Sequence, residues 1–296
     1  MDAIRLSPPR RLSLPVSNHW GEGRMSVLDF GDAKRPVDLV FVHANGFNAM
    51  TYRTLLAPLS GSLRIWAPDL RGHGGTTLPT DLVGRRHWHD HRDDLIAVLD
   101  AMDGPPVILA GHSMGGTTAL LAAAERPERV AGLVLFDPVI WGRLTVAAFK
   151  LPLFDRLASR IPLVRNALRR RAVFDSREQA LTAYAGRGAF KGWPEMMLAD
   201  YLADGLTETP DGFVLACDPA WEASNYASQS HDPWRALKQL DRPVRILKGE
   251  HGSTCFLAGT PRGLPQVAVE TVPGGNHFFP MLRADIARDA LFDAAI

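Results

Sequence analysis

The sequence is short of cysteine, of net charge and of long apolar runs, and each shortage closes off a class of protein. Its two cysteines, Cys217 and Cys255, stand far apart with no C-x-x-C spacing. That argues against a disulfide framework or a structural zinc, and a reduced, cytoplasmic setting is the expectation. Lysine plus arginine exceed aspartate plus glutamate by one, for a net charge of +1. No field of one sign therefore draws the chain to nucleic acid or anionic membrane. No run reaches the ~18 apolar residues a membrane helix needs, so no stable membrane insertion is expected. Met1 to Arg11 carries arginines and prolines but no apolar stretch, so no secretory signal is expected. Repeats and low-complexity segments are missing too. What remains is ample: 296 residues, 46% of them hydrophobic, suffice for one large core plus a lid.

The most informative stretch is Ala110-Gly111-His112-Ser113-Met114-Gly115-Gly116. An apolar run, Pro106 to Leu109, precedes it, and a helix-like run, Thr117 to Ala124, follows. The order strand, tight turn, helix with serine at the turn is the context of a G-x-S-x-G nucleophile elbow. A turn this sharp strains the serine backbone, and the flanking glycines remove Cβ atoms that would collide with neighbours. On these residues the chain resembles the α/β-hydrolases. That resemblance implies a mostly parallel eight-stranded sheet flanked by helices, with a helical cap inserted after strand six.

Strand and helix signals fit in order. Arg11 to Ser17 and Met25 to Phe30 alternate as a hairpin would. Val37 to His43, Leu63 to Ala67, Val130 to Phe136, Pro243 to Lys248 and Gln266 to Val272 read as further strands. Thr51 to Leu59, Arg85 to Met102, Pro233 to Leu240 and Ala284 to Ala295 read as helices. From Val139 to about Thr209 the chain turns arginine-rich, aromatic and helical, with no clean buried strand. The expected domains are therefore a core over 1–138, a cap over 139–210 and the rest of the core over 211–296. Exposed aromatics in the cap would face the substrate. Arg169-Arg170-Arg171 reads as a solvated face, with binding of an acidic group as the sharper alternative. Asp69-Leu70-Arg71-Gly72-His73-Gly74 is expected to tie its loop by charge-assisted hydrogen bonds. His87 and His91 would share a helix face as two metal ligands do, but no further ligands accompany them. They read instead as the exposed start of a helix.

Acyl transfer needs a nucleophile, a base, an acid to orient the base and donors for the oxyanion. The superfamily order is serine, acid, histidine. Ser113 is the candidate nucleophile and His277, in Gly-Gly-Asn-His-Phe near the C-terminus, the candidate base. The acid usual after strand seven is missing: Gly249 is followed by Glu250, His251 and Gly252. Asp137, at the end of strand six, is the first candidate and Glu250 the alternative. The resemblance implies oxyanion donation by the backbone of Met114 and by the loop His43-Ala44-Asn45-Gly46-Phe47. Matching the Gly-Phe pair assigns the second donor to Phe47, with Asn45 and its side chain as the rival.

The cap pattern Arg170-Arg171, Phe174, Ser176-Arg177-Glu178, Phe190, Trp193, Tyr201 and Gly205 resembles a group of cap-bearing hydrolases. The group includes fungal peroxisomal proteins described as lipase-like or acyl-CoA-hydrolysing. The implied function is a serine esterase on a small acyl substrate, with no metal or organic cofactor and an oligomeric state the sequence leaves open. Thioester, lactone and carbon–carbon bond hydrolysis use the same triad and stand as alternatives, as does a ligand-binding receptor that keeps the triad.

Overall fold

Eight of the alternating or apolar runs join into one sheet in the computed structural model, which describes residues 8–151 and 160–296. Its strands are β1 (Arg10–Asn18), β2 (Gly21–Phe30), β3 (Leu39–Val42), β4 (Ile65–Pro68), β5 (Val107–His112) and β6 (Val130–Phe136). After three short strands of a second sheet, β7 (Val173–Phe174), β8 (Leu206–Thr209) and β9 (Gly212–Leu215), come β10 (Val244–His251) and β11 (Val267–Asn276). The sheet order is β1-β2-β4-β3-β5-β6-β10-β11. β1, β2 and β4 pair antiparallel, and every pair from β4 to β11 is parallel. This is the mostly parallel eight-stranded sheet that the resemblance implied.

Side-chain alternation shows why both faces are covered. Val40, Val42, Leu109, Leu133, Leu135 and Ile246 point into one apolar cluster. Leu39, Phe41, Ile108, Val134, Phe136 and Leu247 point into the other. Adjacent residues thus enter opposite cores, as a strand's period of two requires, and the interior strands read as unbroken apolar runs. The first cluster is closed by the helices His89–Asp100, Met114–Glu125 and Pro233–Gln239, the second by the helical turns from Ala49 to Leu59 and the helix Ala284–Ala295. Each buried aliphatic side chain contributes roughly 1.5–3 kcal/mol.

The chain runs outward from β3 in both directions, to β4 on one side and β5 on the other. In sheets of this kind the groove lies at the carboxyl ends beside such a reversal. Among the loops at those ends are those after β3, β5, β6 and β11. The expected candidates His43–Phe47, Ser113, Asp137 and His277 sit on them.

Between β6 and β10 the chain leaves the sheet. Besides the core helix Pro233–Gln239, the described α-helices there are Arg143–Phe149, Pro162–Leu168, Arg177–Tyr184, Glu195–Gly205 and Pro219–Ala227. The expected absence of strands from Val139 to Thr209 is corrected by β7 and β8, which pair with β9, the short strand that Asp211 to Leu215 suggested, in a small antiparallel sheet. Its strands are two to four residues long, too short for a periodicity signal. The aromatics also divide. Phe174, Phe190 and Tyr201 all pack into the second core cluster, and of the three Phe190 also lines the cavity.

The helix expected from Arg85 starts at His89, and its start is not exposed. Trp88, Asp90 and His91 are buried, because the helix Pro219–Ala227 covers them: Trp88 Nε1 donates to Asn225 O at 2.9 Å and His91 stacks edge-on to Trp221. His87 stacks on His89 at 3.9 Å. Among the described residues no three histidine, cysteine or carboxylate side chains gather as a metal site. No helix among them is long and apolar enough to cross a membrane.

Candidate active site

The elbow is built by close approach. A Cβ on Gly115 would stand 2.3 Å from His43 O and Val42 O, and one on Gly111 would stand 2.6 Å from Gly115 C. Only glycine fits, so the helix Met114–Glu125 can press against β3 and β5. Ser113 adopts φ 55°, ψ −120°, a region β-carbon residues rarely occupy, and its N–H is anchored to Phe136 O at 2.9 Å. The surrounding packing holds that strain in place. The serine therefore stands at the amino end of a helix, where partial positive charge favours an anion.

Ser113 Oγ lies 3.0 Å from His277 Nε2. His277 Nδ1 lies 3.3 Å from Asp137 Oδ1, in ion-pair range but off the axis that a hydrogen bond needs. Asp137 is fully buried, with φ 43°. Its carboxylate accepts from Gly249 N (2.8 Å), Thr254 N (2.7 Å), Ser253 Oγ (3.0 Å) and Thr254 Oγ1 (3.1 Å). Burial pushes its titration up, and the neighbouring imidazole with these N–H donors more than offsets that, so it stays below the ordinary carboxylate range. Glu250 is turned elsewhere. Its carboxylate is half-exposed, accepts from Gly274 N at 2.7 Å and makes no contact with His277.

The loop after β3 corrects the assignment of the second oxyanion donor. Phe47 N–H is already bound to Ala44 O at 3.2 Å. The Asn45 side chain is also committed: Nδ2 donates to Glu222 O (3.0 Å) and Oδ1 accepts from Asn225 Nδ2 (2.8 Å). Ala44 N–H goes to Tyr52 Oη (3.2 Å) and Gly46 N–H to His73 Nε2 (3.2 Å). Of Ala44, Asn45, Gly46 and Phe47, Asn45 is the one whose backbone N–H has no partner among the described residues, and Asn45 lines the cavity with Met114. The physical reason is local: Gly46, at φ 73°, closes a turn that turns Phe47 N–H inward.

The Asp-x-Arg-Gly-His-Gly loop braces this region as expected. Asp69 accepts from Ala49 N (2.8 Å) and Gly75 N (3.0 Å). Arg71 grips Asp94 with two hydrogen bonds of 2.8 and 2.7 Å in the interior.

Above Ser113 opens a cavity of about 580 Å³. Its walls are mainly apolar: Val139, Trp141, Leu163, Phe190 and Phe278. At one side Arg170 pairs with Glu222 and donates to Tyr201 Oη (2.7 Å) and Tyr184 Oη (3.2 Å). Of the arginine triplet, Arg170 alone turns into the cavity; Arg169 and Arg171 are exposed. The sequence reading missed Glu222, Asn225 and the Ser253–Thr254 donors. No local pattern marks them, since each acts on a residue more than 50 positions away.

The sequence profile described as the Alpha/beta hydrolase family matches residues 39–290. A 2-(acetamidomethylene)succinate hydrolase of Mesorhizobium japonicum is 26% identical over 258 residues, 86% of either chain. A 3-oxoadipate enol-lactonase 2 of Acinetobacter baylyi is 28% identical over 227 residues, covering 76% of this chain and 74% of that one. A crystal structure of E-2-(acetamidomethylene)succinate hydrolase superposes with a TM-score of 0.76. It covers 96% of this chain and 98% of that chain at 24% identity, a likeness of fold.

Proposed function

The chain belongs to the alpha/beta hydrolase family, and from that premise we propose that it is a serine hydrolase cleaving a carboxylic ester through an acyl-enzyme. Ser113 Oγ attacks the carbonyl carbon while His277 Nε2 takes its proton. The oxyanion rests on the N–H groups of Met114 and Asn45. As the tetrahedral adduct collapses, His277 returns the proton to the leaving alcohol. A water then repeats the sequence on the acyl-enzyme and frees the acid and Ser113. Asp137, kept ionised by its donors, holds the imidazole tautomer and stabilises its charge. The segment 139–210 is the cap, and its Leu163, Arg170 and Phe190 select the acyl group.

The observation that carries this reading is the 3.0 Å contact between Ser113 Oγ and His277 Nε2 on a glycine-enforced elbow. Lactone hydrolysis is the second reading, favoured by the enol-lactonase among the relatives; the same groups act, and the leaving alcohol stays on the product. The test is initial rates on nitrophenyl esters of graded acyl length and on simple lactones, for wild type and Ser113→Ala. A loss of about 10³-fold or more in the variant is expected. Turnover unchanged in Ser113→Ala would sink the serine mechanism. A protein inert to esters but labelled at Ser113 by a fluorophosphonate would move the substrate to lactones or thioesters.

A further inference from the structure

We infer that Asn225 and His91 are positioning residues for the oxyanion loop, holding Asn45 through a hydrogen-bond chain whose direction one backbone carbonyl dictates. This rests on the reading that Asn45 N–H receives the oxyanion. Neither Asn225 nor His91 lines the cavity, so both act through Asn45.

The direction follows from what each atom can do. Glu222 O can only accept, so the Asn45 amide must present Nδ2 to it, 3.0 Å away. Asn45 Oδ1 then faces Asn225 and can only accept, so Asn225 must present Nδ2, at 2.8 Å. That leaves Asn225 Oδ1 facing His91 Nε2 at 3.0 Å, so the proton of His91 sits on Nε2. His91 Nδ1 is buried without a hydrogen-bond partner, as an unprotonated nitrogen can be. Burial lowers the titration of His91 to about 4, which keeps the ring neutral and the tautomer fixed. Asn45, Asn225 and His91 are 9%, 0% and 0% exposed, so water does not offer Asn225 and His91 alternative partners.

Two further chains hold the flanking residues in the same one-way manner. Arg71 O faces His73 Nδ1 (2.9 Å), which fixes the proton there and leaves Nε2 to accept Gly46 N–H (3.2 Å). His277 O faces His112 Nε2 (2.8 Å), so His112 Nδ1 accepts from Tyr52 O–H (2.7 Å), and Tyr52 Oη accepts Ala44 N–H (3.2 Å). Asn45 is the centre of the loop, and its side chain is its only strap among the described residues. Reversing a single amide in that strap sets acceptor against acceptor, and the backbone N–H moves with it. A buried network whose donors and acceptors are directed in this way defines one geometry.

The test compares Asn225→Asp, His91→Leu and His91→Gln with wild type. The Asn225→Asp change keeps size and the contact with His91 but puts a carboxylate oxygen against Asn45 Oδ1. A fall in kcat of about 10- to 100-fold is expected, with KM within about twofold, because the donor serves the transition state. The inhibition constant of an alkyl trifluoromethyl ketone, whose tetrahedral adduct uses the same donors, should rise by the same factor. His91→Leu should lower kcat about 3- to 10-fold, and His91→Gln, whose amide reaches as Nε2–H does, should restore it. Asn225→Asp with wild-type kcat and inhibitor affinity, or with its loss confined to KM, overturns the inference. If Asn225→Asp does not fold, the His91 pair decides: equal rates for Leu and Gln overturn it. Activity surviving Ser113→Ala would instead overturn the serine mechanism, a separate outcome.

Discussion

The two walls beside Ser113 are made differently. On one side, the loop after β3 and the stretch Asp69 to His73 after β4 are largely buried, and the polar groups of Ala44, Asn45 (side chain), Gly46, Ala49 and Tyr52 find partners at 2.7–3.2 Å. On the other, the cavity-lining residues Val139, Trp141, Leu163 and Phe190 present apolar and aromatic surface, joined by Asn166, Arg187 and the paired Arg170. The first wall is specified by hydrogen-bond direction, so few substitutions fit it. The second is specified by volume, where swaps of similar size are tolerated. On the proposed function, chemistry sits on the directional wall and selection on the volumetric wall, so the two can change independently.

The sharpest break in that contrast is Asp137→Asn. It keeps the shape but disturbs the imidazole tautomer, and kcat should fall about 10³- to 10⁴-fold with KM little changed. Glu250→Gln is the matched control, expected to stay within about twofold because Glu250 faces Gly274; the reverse ranking in steady-state rates would return the acid to Glu250. Next, Glu222→Ala leaves the Arg170 cation buried without its partner. A loss of about 3–5 kcal/mol is expected from urea unfolding. A change under about 1 kcal/mol would mean that water reaches Arg170 freely.

Acid should weaken the directional side. Burial lowers His43 from 6.5 to about 3 and His91 from 6.5 to about 4. The folded state keeps both neutral while the unfolded chain takes up protons. Stability is then full above pH 6.5 and is lost as pH falls toward 4. Asp69 opposes this: burial raises it from 3.8 to about 6, so its contribution is present at low pH and fades as pH rises through 6. One carboxyl against several buried histidines only shallows the slope. Urea midpoints between pH 7.5 and 4.5 that do not fall would show that these rings are solvated. The smallest effect belongs to the volumetric wall. Phe190→Ala should shift the preferred acyl length upward and alter kcat/KM by about tenfold, the low end of what a space change in an apolar pocket does; an unchanged length profile would place the acyl group elsewhere.

What was legible in the sequence follows the same division. The elbow could be read because strand, glycine turn and helix are contiguous and Gly111 and Gly115 are demanded by backbone contact. His277 was singled out by its place after the last strand, and the structure brings it 3.0 Å from Ser113 Oγ. Asp137 emerged only because the β10 loop lacked an acid. The structure gives that loop a different task, since Gly249, Ser253 and Thr254 supply donors to Asp137. The choice of Phe47 failed because pattern matching sees which residues are present but not which N–H a turn has already used. His91 was read as exposed because its local neighbours are charged, while its burial is decided by Trp221 and Asn225, more than 120 residues onward. Glu222 and Asn225 had no signal at all.

The order of the site along the chain has a practical outcome. Ser113 and Asp137 precede the excursion between β6 and β10, and His277 follows it. A cut anywhere in that excursion gives two polypeptides, one bearing the serine and the carboxylate, the other the imidazole. Neither half can complete a proton transfer unaided, so turnover by the mixed halves would serve as a direct reporter of their reassociation.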